Sequence, residues 1–258
     1  MFEILAVIAI LALSFGASVI GAVSGVGSGI IIKPVLEAAA NLDILHVNLF
    51  SGSAVFVMAL TAVIRQRTLM KSFEFRIGVP IALGSAAGGI TGSIIFSMMG
   101  DSIAVTQAVL KIIVIGILLI HQIFESKIKS FRFERIATYL ILGACLGMIA
   151  AFLGIGGGPL NLSALVLFLS MNLKTAALYS MFIILFAQGA NLIRWGVAGF
   201  PADVPVDFLI AVLIGSVAGA LIGAALYKKV NSAILKKLYA GVLLFVIIVT
   251  VVNLIAYI

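Results

Sequence analysis

Residues 151–162 read AFLGIGGGPLNL, four glycines with a proline and an asparagine set between aliphatic stretches. Such a cluster is ordinarily a loop signal, and loops belong in water. Its surroundings are not those of a water-facing loop. The chain has 258 residues, 64% hydrophobic and 10% charged, against about 45–50% and about 25% in soluble domains. Apolar runs near the roughly 20 residues that a membrane-crossing helix needs recur along the chain. They are continuous rather than alternating, which excludes a β-barrel. The glycine cluster is therefore backbone left irregular at membrane depth. That is tolerable only inside protein or against a wet cavity.

Outward from this cluster, hydropathy predicts ten helical segments: 4–21, 29–41, 46–64, 77–98, 106–124, 136–153, 158–170, 174–194, 206–227 and 234–256. The second and seventh hold thirteen residues each, and both follow glycine-rich stretches. At about 1.5 Å per residue each is about 20 Å long, short of a hydrocarbon core of roughly 30 Å. They read as broken helices of the kind that build transporter sites.

The two halves match. Gly25, Gly27 and Gly29 superimpose on Gly154, Gly156 and Gly158 at a spacing of 129 residues, which also sets Ser51 on Ser180 and Arg65 on Arg194. LGSAAGGITG from Leu83 resembles IGSVAGALIG from Ile214, and AVLKIIVIGILL from Ala108 parallels AILKKLYAGVLL from Ala233. The organisation expected is a first transmembrane repeat at 1–124, a basic linker at 125–135 and a second repeat at 136–258.

Basic residues collect between segments: Arg65, Arg67, Lys71 and Arg76; Lys127, Lys129, Arg132 and Arg135; Lys228, Lys229, Lys236 and Lys237. The positive-inside rule sends all three groups to the cytoplasm. The connections holding Asp43, Asp101, Asp203 and Asp207 then face outward. With every segment crossing once, both termini lie outside and the second repeat is inverted. The fold class expected is an all-α polytopic membrane protein, two inverted repeats of about five helical segments each, with short broken helices after the glycine motifs.

The net charge of +7 is explained by this topology, so no nucleic-acid partner is expected. The single cysteine, Cys145, excludes an intrachain disulfide and reads as a small buried core residue. His46 and His121 lack metal-ligand spacing. The N-terminus, with Glu3 and no basic region, reads as a retained first helix. No nucleophile–base constellation, metal motif or ATPase motif is present, so the expectation is a non-enzyme without cofactor.

The glycine motifs carry the candidate chemistry. A helix that starts just after such a turn aims unpaired N–H groups and a partial positive charge at the space before it. Such an end binds anions without a cationic side chain. Ser24, Gly25, Gly27, Ser28 and Gly29, with Gly154, Gly156, Gly157 and Gly158, are the candidates; the alternative is that they only permit close helix packing. For Gly84, Gly88 and Gly92, and for Gly215, Gly219 and Gly223, packing is the preferred reading. Lys33 and Glu37 share one face of the first short helix. Lys33 is a candidate substrate contact or a snorkelling residue, and Glu37 a candidate proton-coupling group. Gln188, Asn191 and Arg194 share a face and offer a polar path; beside Trp195, Arg194 is equally an interfacial anchor. Asn48 and Ser51, with Asn161, Tyr179 and Ser180, add neutral polar groups near the proposed centre, where helix–helix hydrogen bonds are the plainer role. Snorkelling accounts for Lys111, Lys236 and Lys237.

SGVGSGIIIKPVL from Ser24 and LGIGGGPLNLSAL from Leu153, in duplicated halves joined by a basic linker, resemble the sulfite exporter TauE/SafE family. The resemblance covers nearly the whole chain; Ser28 and Lys33 are departures from the motif. It implies transport of small anions, chiefly sulfite, sulfonates and related organosulfur compounds, in the cytoplasmic membrane of a prokaryote. The expected function is a secondary transporter working by alternating access. An anion channel, or a membrane enzyme or scaffold, is the alternative. The expected partners are a small anionic substrate and the lipid bilayer, with a homodimer left open.

Overall fold

A computed structural model describes residues 2–39, 42–67, 73–98, 103–124, 130–201 and 203–257. Lys71, Asp101, Lys127 and Lys129, which entered the topology argument, lie outside the described residues. The described residues form ten helices and no strand: α1 (Phe2–Ser24), α2 (Gly29–Ala39), α3 (Ile44–Arg65), α4 (Phe75–Met98), α5 (Ile103–Phe124), α6 (Ile136–Leu153), α7 (Gly158–Leu169), α8 (Leu173–Ala198), α9 (Val206–Lys229) and α10 (Ser232–Tyr257). Eight are long and apolar enough to cross a membrane. The other two are α2, with 11 residues, and α7, with 12. The chain is thus an all-α polytopic membrane protein.

All ten expected segments are present. α8 runs past its expected end at 194 to Ala198, so Trp195 sits inside a helix rather than after one. Cys145 corrects the sequence reading. It is exposed on α6, because the small residues that pack in this helix are Gly143 and Gly147, and Cys145 faces away from them.

Those glycines explain the packing. A Cβ on Gly84, Gly88 or Gly92 would collide with the carbonyl oxygens of Leu140, Ala144 or Met148, so α4 lies backbone to backbone on α6. Gly143 and Gly147 return the contact against Ile81 and Ser85. In α9, Gly215, Gly219 and Gly223 meet the carbonyls of Leu11, Phe15 and Val19 of α1 in the same way. With no hydrophobic force between helices in lipid, such close approach is what van der Waals packing requires. The packing reading of these six glycines holds.

The helix pairs correspond between the two halves of the chain. Advancing each helix by five places in chain order turns the α1–α9 contact into α6–α4, α2–α10 into α7–α5, and α3–α9 into α8–α4. Each half therefore packs its first helix on the fourth helix of the other.

Replacing Gly88 by alanine should cost about 1–3 kcal/mol through overpacking, or more because the obstacle is backbone. Gly116 of α5 has nothing within 4 Å of the point where a methyl group would stand, so Gly116→Ala should be neutral or stabilise by up to about 1 kcal/mol. Thermal unfolding of the two purified variants checks the contrast; equal Tm values would contradict it.

Candidate functional site

α6 stops where Gly154 turns left-handed, with φ 64°, closing the helix through its N–H to the Ala151 carbonyl at 3.2 Å. Gly156 and Gly157 follow at φ 75° and 81°. L side chains adopt this conformation only at a cost. Pro159 then occupies the first turn of α7, where it lacks the N–H that would be unpaired anyway. The first intrahelical bond closes only at Asn161, whose N–H reaches the Gly157 carbonyl at 2.9 Å. In the first motif Gly25 and Gly27 turn the same way, at φ 78° and 87°.

The two motifs meet inside the protein. Gly158 lies so close to Val26 that a Cβ would collide with its carbonyl, and Gly156 faces Gly29 and Ile30. Ser180 fastens both, its Oγ donating to the Gly25 carbonyl at 2.7 Å and reaching that of Gly158 at 3.5 Å. Tyr239 of α10 holds α7 from behind, its hydroxyl donating to the Pro159 carbonyl at 2.9 Å. The irregular backbone is enclosed rather than set in bulk solvent.

On one side of this junction lies a cavity of about 750 Å³. Its floor is the second motif, with Gly154, Gly156, Gly157 and Asn161, joined by Gly29 and Lys33 of the first half. Asn48 and Ser51 of α3 and Gln188, Asn191 and Arg194 of α8 form its wall. Its mouth lies by Asp43 and Leu45, both exposed at the start of α3, and by Trp195. Lys33 is 4% exposed and stands against Gly154, with its Nζ 3.8 Å from Glu37 Oε1. The Asn161 amide is 1% exposed, and its Oδ1 has no hydrogen-bond partner. Turning that amide over would present its N–H donors instead. Arg194 is half-buried at the wall, with its Nε donating to Asn191 Oδ1 at 3.4 Å. Its guanidinium also lies 5.0 Å over Trp195. Arg194 thus both lines the cavity and packs on Trp195.

The other candidates lie elsewhere. Ser24 caps α1, donating to the Ile20 carbonyl at 2.7 Å. Gly25 packs on Ala177, while Gly27, Ser28 and Gly158 are buried behind the cavity floor. Tyr179 accepts a hydrogen bond from the Glu74 N–H at 2.7 Å and stacks on Phe73. Ser180 is the fastener already described. Glu37 lies behind Lys33 and lines a second, smaller cavity. Sequence reasoning missed Ser85, Ser93 and Gln107. Gln107, polar in an otherwise apolar stretch of α5, carried the one usable signal. Gly52, Gly89 and Gly147 also line the cavity and give it room.

The matching stretches of sequence allow a comparison within the chain. The cavity-lining Gly52, Ala151, Ala187, Gln188 and Asn191 correspond, at the 129-residue spacing, to Met181, Ala22, Met58, Ala59 and Ala62. Gly89 corresponds to Ala220 through the aligned LGSAAGG and IGSVAGA stretches. All six counterparts are buried together in one small apolar cluster with Val55 and Ile184. The cavity is open and polar; the cluster formed by these matching positions is shut and apolar.

The family model described as sulfite exporter TauE/SafE matches residues 10–250, nearly the whole chain. The search of curated proteins gave no match to this chain.

Proposed function

From the premise that this chain belongs to the sulfite exporter TauE/SafE family, a family of membrane transporters of sulfur anions, we propose that it is a secondary transporter. Its cargo is sulfite, a sulfonate or a related small organosulfur anion. The observation that carries this reading is the cavity floor: glycine backbone at the start of α7, with the Lys33 ammonium beside it. Bare peptide N–H groups and one buried cation suit an oxyanion, because charge-assisted hydrogen bonds are stronger and shorter than neutral ones. Gln188, Asn191 and Asn161 add donors, and Arg194 draws anions to the mouth.

Alternating access is the proposed cycle. The positive-inside rule puts the basic loops in the cytoplasm, both termini outside, and the second repeat inverted. The cavity mouth then faces outward. The exchanged helix contacts support two repeats that swap roles, and the apolar cluster around Met58 and Met181 is the cytoplasmic side in its closed state. Rocking one repeat on the other would open that cluster and close the present mouth. A side sealed by buried alanine and methionine favours a carrier over an open anion channel.

Thermal unfolding in the presence of sulfite, sulfate, thiosulfate, sulfoacetate, taurine and carboxylates tests the site. A ligand at a hundred times its Kd should stabilise the protein by about 2.7 kcal/mol. Gly52 lies mid-helix in the cavity wall, where an added Cβ meets only Gln188 Oε1 at 3.4 Å. Gly52→Leu should keep the unliganded Tm and lose the ligand shift. A stabilised variant, or a wild type stabilised by no sulfur anion, would sink the assignment. Counterflow in proteoliposomes separates carrier from channel, since only a carrier exchanges labelled for unlabelled substrate.

A further inference from the structure

Two lysines and one carboxylate are buried together next to the main cavity. Lys33 is 4% and Lys111 5% exposed, and the Glu37 side chain is 14% exposed. The Lys33–Glu37 contact is a single one at 3.8 Å. Lys111 lines with Glu37 a small cavity of about 20 Å³. Gln107 lines both cavities and is held by its Nε2 donating to the Phe152 carbonyl at 2.6 Å. Thr250, 3% exposed, also lines the small cavity, and its hydroxyl has no partner. Together with Asn253 these groups give one water the room and the partners it needs, since about 10–15 Å³ suffices.

Charge counting makes this cluster more than a packing accident. Two lysines face one carboxylate in an apolar bundle, where a second ammonium is costly unless a negative charge compensates it. Asp43, the acidic group that lines the main cavity, is exposed at its mouth, where water screens it. A bare Lys33–Glu37 pair would be self-satisfied, and an anion would have to break it.

We propose that Lys33, Glu37 and Lys111 form a charge switch, in which Lys111 holds Glu37 so that Lys33 can turn to an anion in the main cavity. This rests on the anion reading of that cavity. The bound anion supplies the missing negative charge, so the preferred cargo carries a single charge. Lys111 never touches the anion; it is a positioning residue acting through Glu37.

The test is a set of dissociation constants for the monoanion sulfoacetate methyl ester and the dianion thiosulfate, measured on full-length purified protein. Lys111→Gln leaves Glu37 with Lys33 as its one partner, so monoanion binding should weaken by about tenfold or more. Adding Glu37→Gln to Lys111→Gln frees Lys33 again and should restore wild-type affinity. Glu37→Gln alone leaves two unpaired lysines and should shift preference toward thiosulfate by about tenfold. Lys111→Arg should retain wild-type affinity. A purely structural Lys111 predicts a double variant as weak as Lys111→Gln, and that result overturns the switch. So does Lys111→Gln binding like the wild type. Should Lys111→Gln not fold, the Glu37→Gln arm decides alone, and an unchanged anion preference there rejects the proposal. A wild type that binds neither anion overturns the cavity assignment and the switch together, whereas wild-type binding with unaltered variants overturns the switch alone.

Discussion

Gly158→Ala should leave no folded protein to purify. The added methyl would collide with the Val26 carbonyl oxygen, carbon and Cα, all backbone of the other glycine motif. Val26 cannot retreat. It is 1% exposed in a stretch, 21–34, where every residue is buried, and the Gly25 carbonyl beside it is fastened by Ser180. Overpacking that side chains can absorb costs about 1–3 kcal/mol, whereas here two backbones must separate and open the junction. Losses above about 4–5 kcal/mol are exceptional for one substitution, and this position is expected to be among them. Gly156→Ala is the comparison. Its nearest neighbour would be the Ile30 nitrogen at 3.8 Å, so there is room, and the penalty is the φ of 75° alone. That costs roughly 1–2 kcal/mol. Size-exclusion profiles and Tm values of the two variants decide the matter. A monodisperse Gly158→Ala protein with wild-type Tm would mean the two motifs are not in contact.

Lys33→Glu should abolish anion binding while much of the fold survives. The substitution removes the deep cation of the main cavity and puts a second carboxylate one helical turn from Glu37. Truncating one member of a buried charge pair already costs about 2–5 kcal/mol in binding systems, and reversal adds repulsion to the anion itself. Affinity should fall by at least about a hundredfold, equivalent to about 2.8 kcal/mol. Isothermal titration or the ligand-induced Tm shift reads it directly. Retention of wild-type affinity would remove Lys33 from the site.

Much of the architecture was legible from local pattern. A backbone in lipid must satisfy its own hydrogen bonds, so each apolar run has little choice but to be a helix. The glycine turns were legible for a related reason. Gly25, Gly27, Gly154, Gly156 and Gly157 all adopt positive φ, which other residues resist. The four-residue glycine spacing in α4 and α9 announced two close helix contacts, though not which helices would fill them.

The site was legible in part. Lys33, Asn48, Ser51, Asn161, Gln188, Asn191 and Arg194 do gather around one cavity. Tyr179 and Ser180 share the polarity and the neighbourhood, yet are consumed by hydrogen bonds to Glu74 and Gly25. Nothing in the composition of α8 separates its two polar ends. Only the partners that face each end do so.

The sequence by itself determined a membrane-spanning helical protein, its ten elements and the places where backbone would be bare. Each of these is written in hydropathy, in residue spacing or in the conformational freedom of glycine, and needs no knowledge of distant partners. Which of the two similar motifs faces an open cavity was decided by the tertiary structure alone. The two motifs are near-equal in sequence, so nothing local separates the one that floors the cavity from the one packed mostly behind it. The choice therefore rests on contacts such as Met58 and Met181 within the sealed cluster, formed between residues far apart in the chain.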